Sequence, residues 1–273
     1  MQIAHARREE MTEIKGVHAG ANSLFFKSLF EKNAFQTPWW FIHSAFIPPG
    51  GGIGHHRHDR CEELFVIVDN AAQFTHNGRT TEIVGGASVP LREGESHAIY
   101  NHTDKWTRFF NFNVAEPNML ADSTDFGDAR IGVPLESVDR LPIGRFDRNL
   151  MTYQRLHDGK GVIGSRIVWD WRDFRNNWGI IAHCLLPADT SIGYHKHDIV
   201  EEVYIVINGN GRITADDETV DVHPGDAILN RLGGSHGIYN NSNDDLEILV
   251  VSVCMEKGKL DAIDLGDDLS TRK

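Results

Sequence analysis

Six histidines and two glutamates carry the chemistry of this chain, in two sets with one spacing. His56, His58, Glu63 and His97 are followed 139 residues later by His195, His197, Glu202 and His236. Each set has an HxH pair, a carboxylate five residues on and a third histidine 34 residues after the carboxylate. Neutral imidazoles and an ionised carboxylate make a mixed nitrogen and oxygen donor set for a divalent transition metal. The ligands alone do not choose among Mn, Fe, Co, Ni and Zn; an open site that binds a chelating substrate and O₂ together favours Fe(II) or Mn(II) in each half. Four protein donors on an octahedral ion leave two positions for water, substrate or dioxygen.

These residues meet only if the chain brings distant strands together. On a strand, side chains alternate with period two, so both histidines of an HxH pair share a face. The third histidine must arrive on a later strand, and a small closed β-barrel supplies the interior in which the set converges. Glu62 and Glu201 are the competing carboxylates, on the opposite pleat face from their neighbours. Counting back from the strand end at Gly209 makes Glu202 the inward residue, and the repeat makes Glu63 its equivalent.

The 139-residue offset also relates Asn101 to Asn240, Trp39 to Trp178 and Pro48 to Pro187. The matched register runs from Leu24 to Val114 and from Ile163 to Val253, a repeat that signals duplicated structural units. Glu202–Ile207 and Glu63–Val68 are β-branched and aromatic runs, Asn77-Gly78 is a hairpin signal, and Pro224-Gly225-Asp226 is a turn. The expectation is an all-β protein of two tandem barrels with short flanking helices or loops. The expected organisation is an N-terminal domain over 1–118, a connector over 119–160 without a site of its own, and a C-terminal domain over 161–273. The acidic tail after Lys257 is expected to be partly disordered.

Several residues near the ligand sets are candidates for catalysis. Tyr204 lies two residues beyond Glu202 and shares its face, so it is placed to donate a proton or orient substrate; Phe65 holds the equivalent place. Arg92 and Arg231 precede the third histidines by five residues and are candidate clamps for a carboxylate or enolate. His43 and His183 are 140 apart, one out of register, so only one can line its barrel; His43 is the catalytic candidate. Asn111 and Asn113 stand where Val250 and Ser252 stand later, making the first site the more polar if that face is interior. Asn101 and Asn240 are expected to hold a neighbouring loop, and the tryptophans to pack the barrels and the interface between halves.

The net charge of −12 and the lack of a basic run argue against a nucleic-acid partner. No apolar run approaches the ~18 residues of a spanning helix, so no membrane partner is expected. Three cysteines, Cys61, Cys184 and Cys254, form no CxxC pair, which points to a reducing, cytoplasmic setting.

These motifs resemble those of the cupin superfamily. Gly51, His56, His58 and Glu63 match its first motif, with Asn70 where the strand-closing glycine is usual; His195, His197, Glu202 and Gly209 match it fully. Gly94, His97 and Asn101, and again Gly233, His236 and Asn240, match the second motif, with Arg92 and Arg231 in place of its proline. The resemblance implies a bicupin of small jelly-roll barrels, of the kind that includes oxalate decarboxylases and quercetin dioxygenases. It implies a metal-dependent enzyme acting on a small oxygenated organic molecule, first as a dioxygenase using O₂. The alternatives are a non-redox isomerase, decarboxylase or lyase acting on a sugar or a hydroxy or keto acid, and a non-catalytic binding protein. Either a monomer or a homodimer fits two fused barrels.

Overall fold

The computed structural model describes residues 1–116 and 122–273, and among them the chain is β-structure joined by turns, with single 3₁₀ turns in place of the flanking helices. The expected boundary at 118/119 falls outside the described residues. Each half is a seven-stranded sheet facing a five-stranded one. In the first half Gly52–Arg57 and Ser96–Tyr100 lie side by side in the five-stranded sheet, with His56 paired to His97. Cys61–Ile67 lies in the opposing sheet between Ala87–Leu91 and Thr107–Ala115. The second half repeats this with Ser191–Lys196, Ser235–Tyr239 and Val200–Asn208, and pairs His195 with His236.

The halves exchange edge strands. Gln2–His5 pairs antiparallel with Asp226–Asn230 in the second half, and Gly144–Arg145 pairs with Ala87–Leu91 in the first. An apolar cluster between the halves includes Trp39, Phe112, Phe174, Trp178 and Val251. Trp39 meets Trp178 edge-on at 5.8 Å, while Phe35 stacks on Trp39 and Phe174 on Trp178. Removing side chains of this size from water stabilises by about 1.5–3 kcal/mol each, so the interface is itself a core. Each barrel has a further core on the inner faces of its sheets, around Phe65, Phe74 and Phe109 in the first and Tyr204, Ile213 and Ile248 in the second.

Two expectations need correction. The tail after Lys257 is not disordered where it runs Ile263–Asp267. That strand pairs with Ser191–Lys196, and Leu269 beyond it is buried. The stretch expected to be a siteless connector contributes to both halves. Thr124–Asp125 pairs with Gly52–Arg57, Thr152–Gln154 pairs with Ile163–Asp170, and His157 reaches the second ligand set. Both segments are polar and weakly periodic. They are ordered by backbone pairing to a barrel edge, a gain that hydrophobic patterning does not register.

The departure at Asn70 is accommodated by its backbone. Its φ is 52°, a left-handed conformation that asparagine tolerates, where Gly209 has φ 77°.

Candidate metal centres

The eight residues converge as two buried groups, one in each barrel, with potential donor atoms within 4.8 Å of one another. In the first, Glu63 Oε2 lies 2.9 Å from His97 Nε2 and 3.8 Å from His58 Nε2. In the second, Glu202 Oε2 lies 3.3 Å from His236 Nε2 and 3.6 Å from His197 Nε2. The other ring edge of each HxH histidine is held from behind. His56 Nδ1 meets the Gly54 carbonyl and His195 Nδ1 the Gly193 carbonyl, each at 2.8 Å. His58 and His197 direct Nδ1 to the carbonyls of Asp122 and Asp261. A backbone acceptor at Nδ1 puts the proton there and turns the Nε2 lone pair inward, the arrangement of a metal-ligating histidine.

The electrostatics match that geometry. Burial, helped by the neighbouring His97 and His18, pushes His56 down to about 2; burial with His236 and His157 does the same to His195. Burial alone would raise Glu63 and Glu202, but the surrounding imidazoles outweigh it and hold both well below the carboxylate range. His97 and His236 are lowered by burial, whereas Glu202 and Asp261 overcome burial at His197 and raise it. Glu63 Oε2 and His97 Nε2, though 2.9 Å apart, are not aligned as a hydrogen bond, and they and His197 Nε2 are buried without another partner. Such orphaned atoms are costly unless something binds them. A divalent cation fits both groups: it would complete these atoms while keeping the imidazoles neutral.

Glu62 and Glu201 face the other way, towards the opposite half. Glu62 accepts the Arg175 and Asn176 N–H groups at 2.8 and 2.7 Å. Glu201 accepts the N–H groups of Gln36 and Thr37 and, at 2.6 Å, the Thr37 hydroxyl.

The linings of the two sites differ. Asn111 and Asn113 each donate to Glu63 Oε1 at 3.1 Å, so the first carboxylate is held by two amides. Their counterparts Val250 and Ser252 leave Glu202 without that support, and Ser252 bonds the Ile180 backbone instead. A cavity of about 280 Å³ adjoins the first group, lined by apolar residues including Phe26, Phe41 and Phe65, together with His18, His43 and Asn111. One of about 200 Å³ adjoins the second and includes His157, Cys184, Glu202 and Tyr204.

The four catalytic candidates fare differently. His43 lines the first cavity, stacked on Phe41 at 3.7 Å and lowered by burial to about 4. His183 points out of its barrel to Glu247. Tyr204 is buried beside His236, and burial, then Glu202, raises its hydroxyl well above the usual range, so it stays protonated. Arg92 and Arg231 are not brought to either of these cavities. Arg92 Nε donates to the Asp173 carbonyl at 2.6 Å and Arg231 to the Ala34 carbonyl at 2.7 Å, both across the interface. Asn101 and Asn240 each tie a strand-end carbonyl to a loop carbonyl, Ile47 to Lys105 and Leu186 to Asp244.

Two further histidines escaped the sequence reading. His18 stacks on His56 at 3.7 Å with 7° between planes, and His157 on His195 at 3.8 Å with 9°. Asp125 and Asp264 bond their Nδ1 atoms at 2.6 and 2.7 Å. The signal was available, since 157 − 18 and 264 − 125 both equal 139. It lay outside the segment over which the repeat was traced.

A sequence profile described as "Cupin domain" matches residues 182–252. An oxalate-binding protein of Thermotoga maritima is 30% identical over 100 residues, covering 37% of this chain and 83% of that protein. Among solved structures, a glyoxylate-induced protein from Pseudomonas aeruginosa superposes with a TM-score of 0.68 at 14% identity, over 93% of this chain and 88% of that one. A Bacillus subtilis oxalate decarboxylase variant gives 0.67 at 12% identity, over 97% and 79%. At these identities the structural likeness speaks for the fold.

Proposed function

This chain belongs to the cupin superfamily as a two-barrel member, and from that premise we propose that it is a metal-dependent enzyme acting on a small molecule that chelates the metal through oxygen. The proposed ligands are His56, His58, Glu63 and His97 in the first half and His195, His197, Glu202 and His236 in the second. The observation that carries the reading is the first cavity: orphaned buried donor atoms open onto apolar walls, with no lysine or arginine among the lining residues. A substrate there is held by its oxygens at the metal and by its apolar body against Phe26, Phe41 and Phe65.

Dioxygenase chemistry is the first reading. When bound, Fe(II) or Mn(II) supplies the electron exchange with dioxygen that closed-shell organic molecules lack. The phenylalanines exclude water from the reacting face. His43, kept neutral by burial, is placed on the cavity wall to accept a hydrogen bond from the incoming substrate hydroxyl. Asn111 and Asn113 keep Glu63 aimed at the donor set while this happens.

Non-redox chemistry is the second reading, and the oxalate-binding relative favours it by pointing to a small dicarboxylate or hydroxy acid. In that case His43 or Tyr204 handles the proton and no oxygen is consumed. The deciding experiment identifies the bound metal by mass spectrometry and follows oxygen uptake by iron- or manganese-loaded protein against catechols, flavonols, diketones and hydroxy acids. Uptake with one of these substrates supports the dioxygenase. Decarboxylation or isomerisation without uptake selects the second reading, and absence of bound metal overturns both.

A further inference from the structure

Each half contains a His–Asp pair that the metal ligand set does not use. His18 stands on the turn after Thr12–Lys15 and His157 on the turn after Thr152–Gln154, beside the HxH strands Gly52–Arg57 and Ser191–Lys196. Both turns carry consecutive left-handed non-glycine residues. His18 and Ala19 have φ of 51° and 58°, and His157 and Asp158 have 50° and 56°. Such backbone is strained and persists where the surroundings over-determine it. Here the fixing contacts are visible. A side chain at Gly54 would strike the His18 carbonyl, and one at Gly193 the His157 carbonyl, so the glycine two residues before each HxH pair admits the turn.

The turn presses each imidazole flat against a histidine of the donor set. Asp125 and Asp264 accept from Nδ1 and so fix a proton there, which in the neutral ring makes Nε2 of His18 and His157 the acceptor. No hydrogen-bond partner for either Nε2 is found among the described residues, and both rings line the cavities beside the metal groups.

We propose that His18 and His157 are ligand-contacting residues whose Nε2 atoms accept a hydrogen bond from a hydroxyl of the bound molecule, with Asp125 and Asp264 as their positioning residues. The ligand class is an oxygen chelator that keeps an O–H group next to its chelating oxygen, such as a catechol or an α-hydroxy acid. This rests on the proposed metal-dependent function and narrows its substrate class.

The test uses the full chain loaded with Mn(II), with metal content measured by mass spectrometry and binding of catechol and 2-methoxyphenol measured by calorimetry. The wild-type protein should bind catechol more tightly than 2-methoxyphenol. The double variant His18→Ala/His157→Ala should keep its metal and lose about three- to tenfold in catechol affinity, the worth of one hydrogen bond. The variant Asp125→Asn/Asp264→Asn keeps both rings but lets an amide donate to Nδ1, which turns Nε2 into a donor. It should narrow or invert the preference between the two probes, which a merely structural role would not do, and it carries the test if the alanine variant is poorly folded. Metal retained with the same catechol affinity and probe preference in both variants overturns this inference alone. A wild-type protein that binds no metal overturns the proposed function and this inference with it.

Discussion

Glu62 and Glu63, consecutive on one strand, serve opposite sides of it: Glu63 Oε2 lies 2.9 Å from His97 Nε2 inside the barrel, while Glu62 accepts the Asn176 N–H at 2.7 Å from the other half. The second half repeats the division with Glu202 and Glu201. The pleat thus divides two adjacent carboxylates between chemistry and assembly.

The division makes the two glutamates separable by mutation. Glu201→Ala strands the Gln36 and Thr37 donors at a buried interface, and should cost about 2–4 kcal/mol in denaturant unfolding. Metal content of the folded variant should be unchanged. If the variant is as stable as wild type, the contact is not a staple between the halves.

Each third histidine should control one metal. His97→Ala and His236→Ala, made singly, are each expected to lower bound metal from two ions per chain towards one, as two separate groups require. Elemental analysis of dialysed protein decides this. The ligand assignment falls if metal content is untouched by both.

Asn111 and Asn113 should act on the first site only. Replacing Asn113 with Leu removes one of the two amides that hold Glu63 Oε1. Loss of such outer support typically weakens metal affinity about 10–100-fold. Competition with a chelator should then show one weakened site and one of wild-type affinity; two equally affected sites would refute the asymmetry.

Glu247 supplies a pH-dependent contribution to stability. Burial raises its carboxyl, but the hydrogen bonds to His183 and Arg148 outweigh this and lower it below the ordinary value. A depressed carboxylate contributes stability above its unfolded-state pKa, and that contribution is lost as pH falls through the lower folded value. Glu247→Gln should therefore cost about 1 kcal/mol at pH 7. Its gap from wild type should narrow below about pH 4. Melting temperatures of both proteins across that range measure it, and a gap independent of pH would contradict the assignment.

The two ligand sets were legible because they are short motifs repeated at one offset. Period-two alternation, with the strand end at Gly209, also separates Glu63 from Glu62 in the sequence alone. The one-residue slip between His43 and His183 correctly put them on different faces, since a slip of one inverts the pleat. Arg92 and Arg231 looked like substrate clamps because recurrence alone does not reveal what an arginine reaches; their partners, Asp173 and Ala34, lie in the opposite half.

What the sequence determined by itself is the duplicated all-β architecture and the eight side chains that meet, because local periodicity and a repeat are written in neighbouring residues. Only the tertiary structure decided what surrounds them. His18 meets His56 across 38 residues and Asp125 across 107, and the polar segment near 124 and the tail near 264 gain their order from a barrel edge. Contacts at such separations depend on strand pairing that carries no hydrophobic signature, so they became visible only when the sheets were closed.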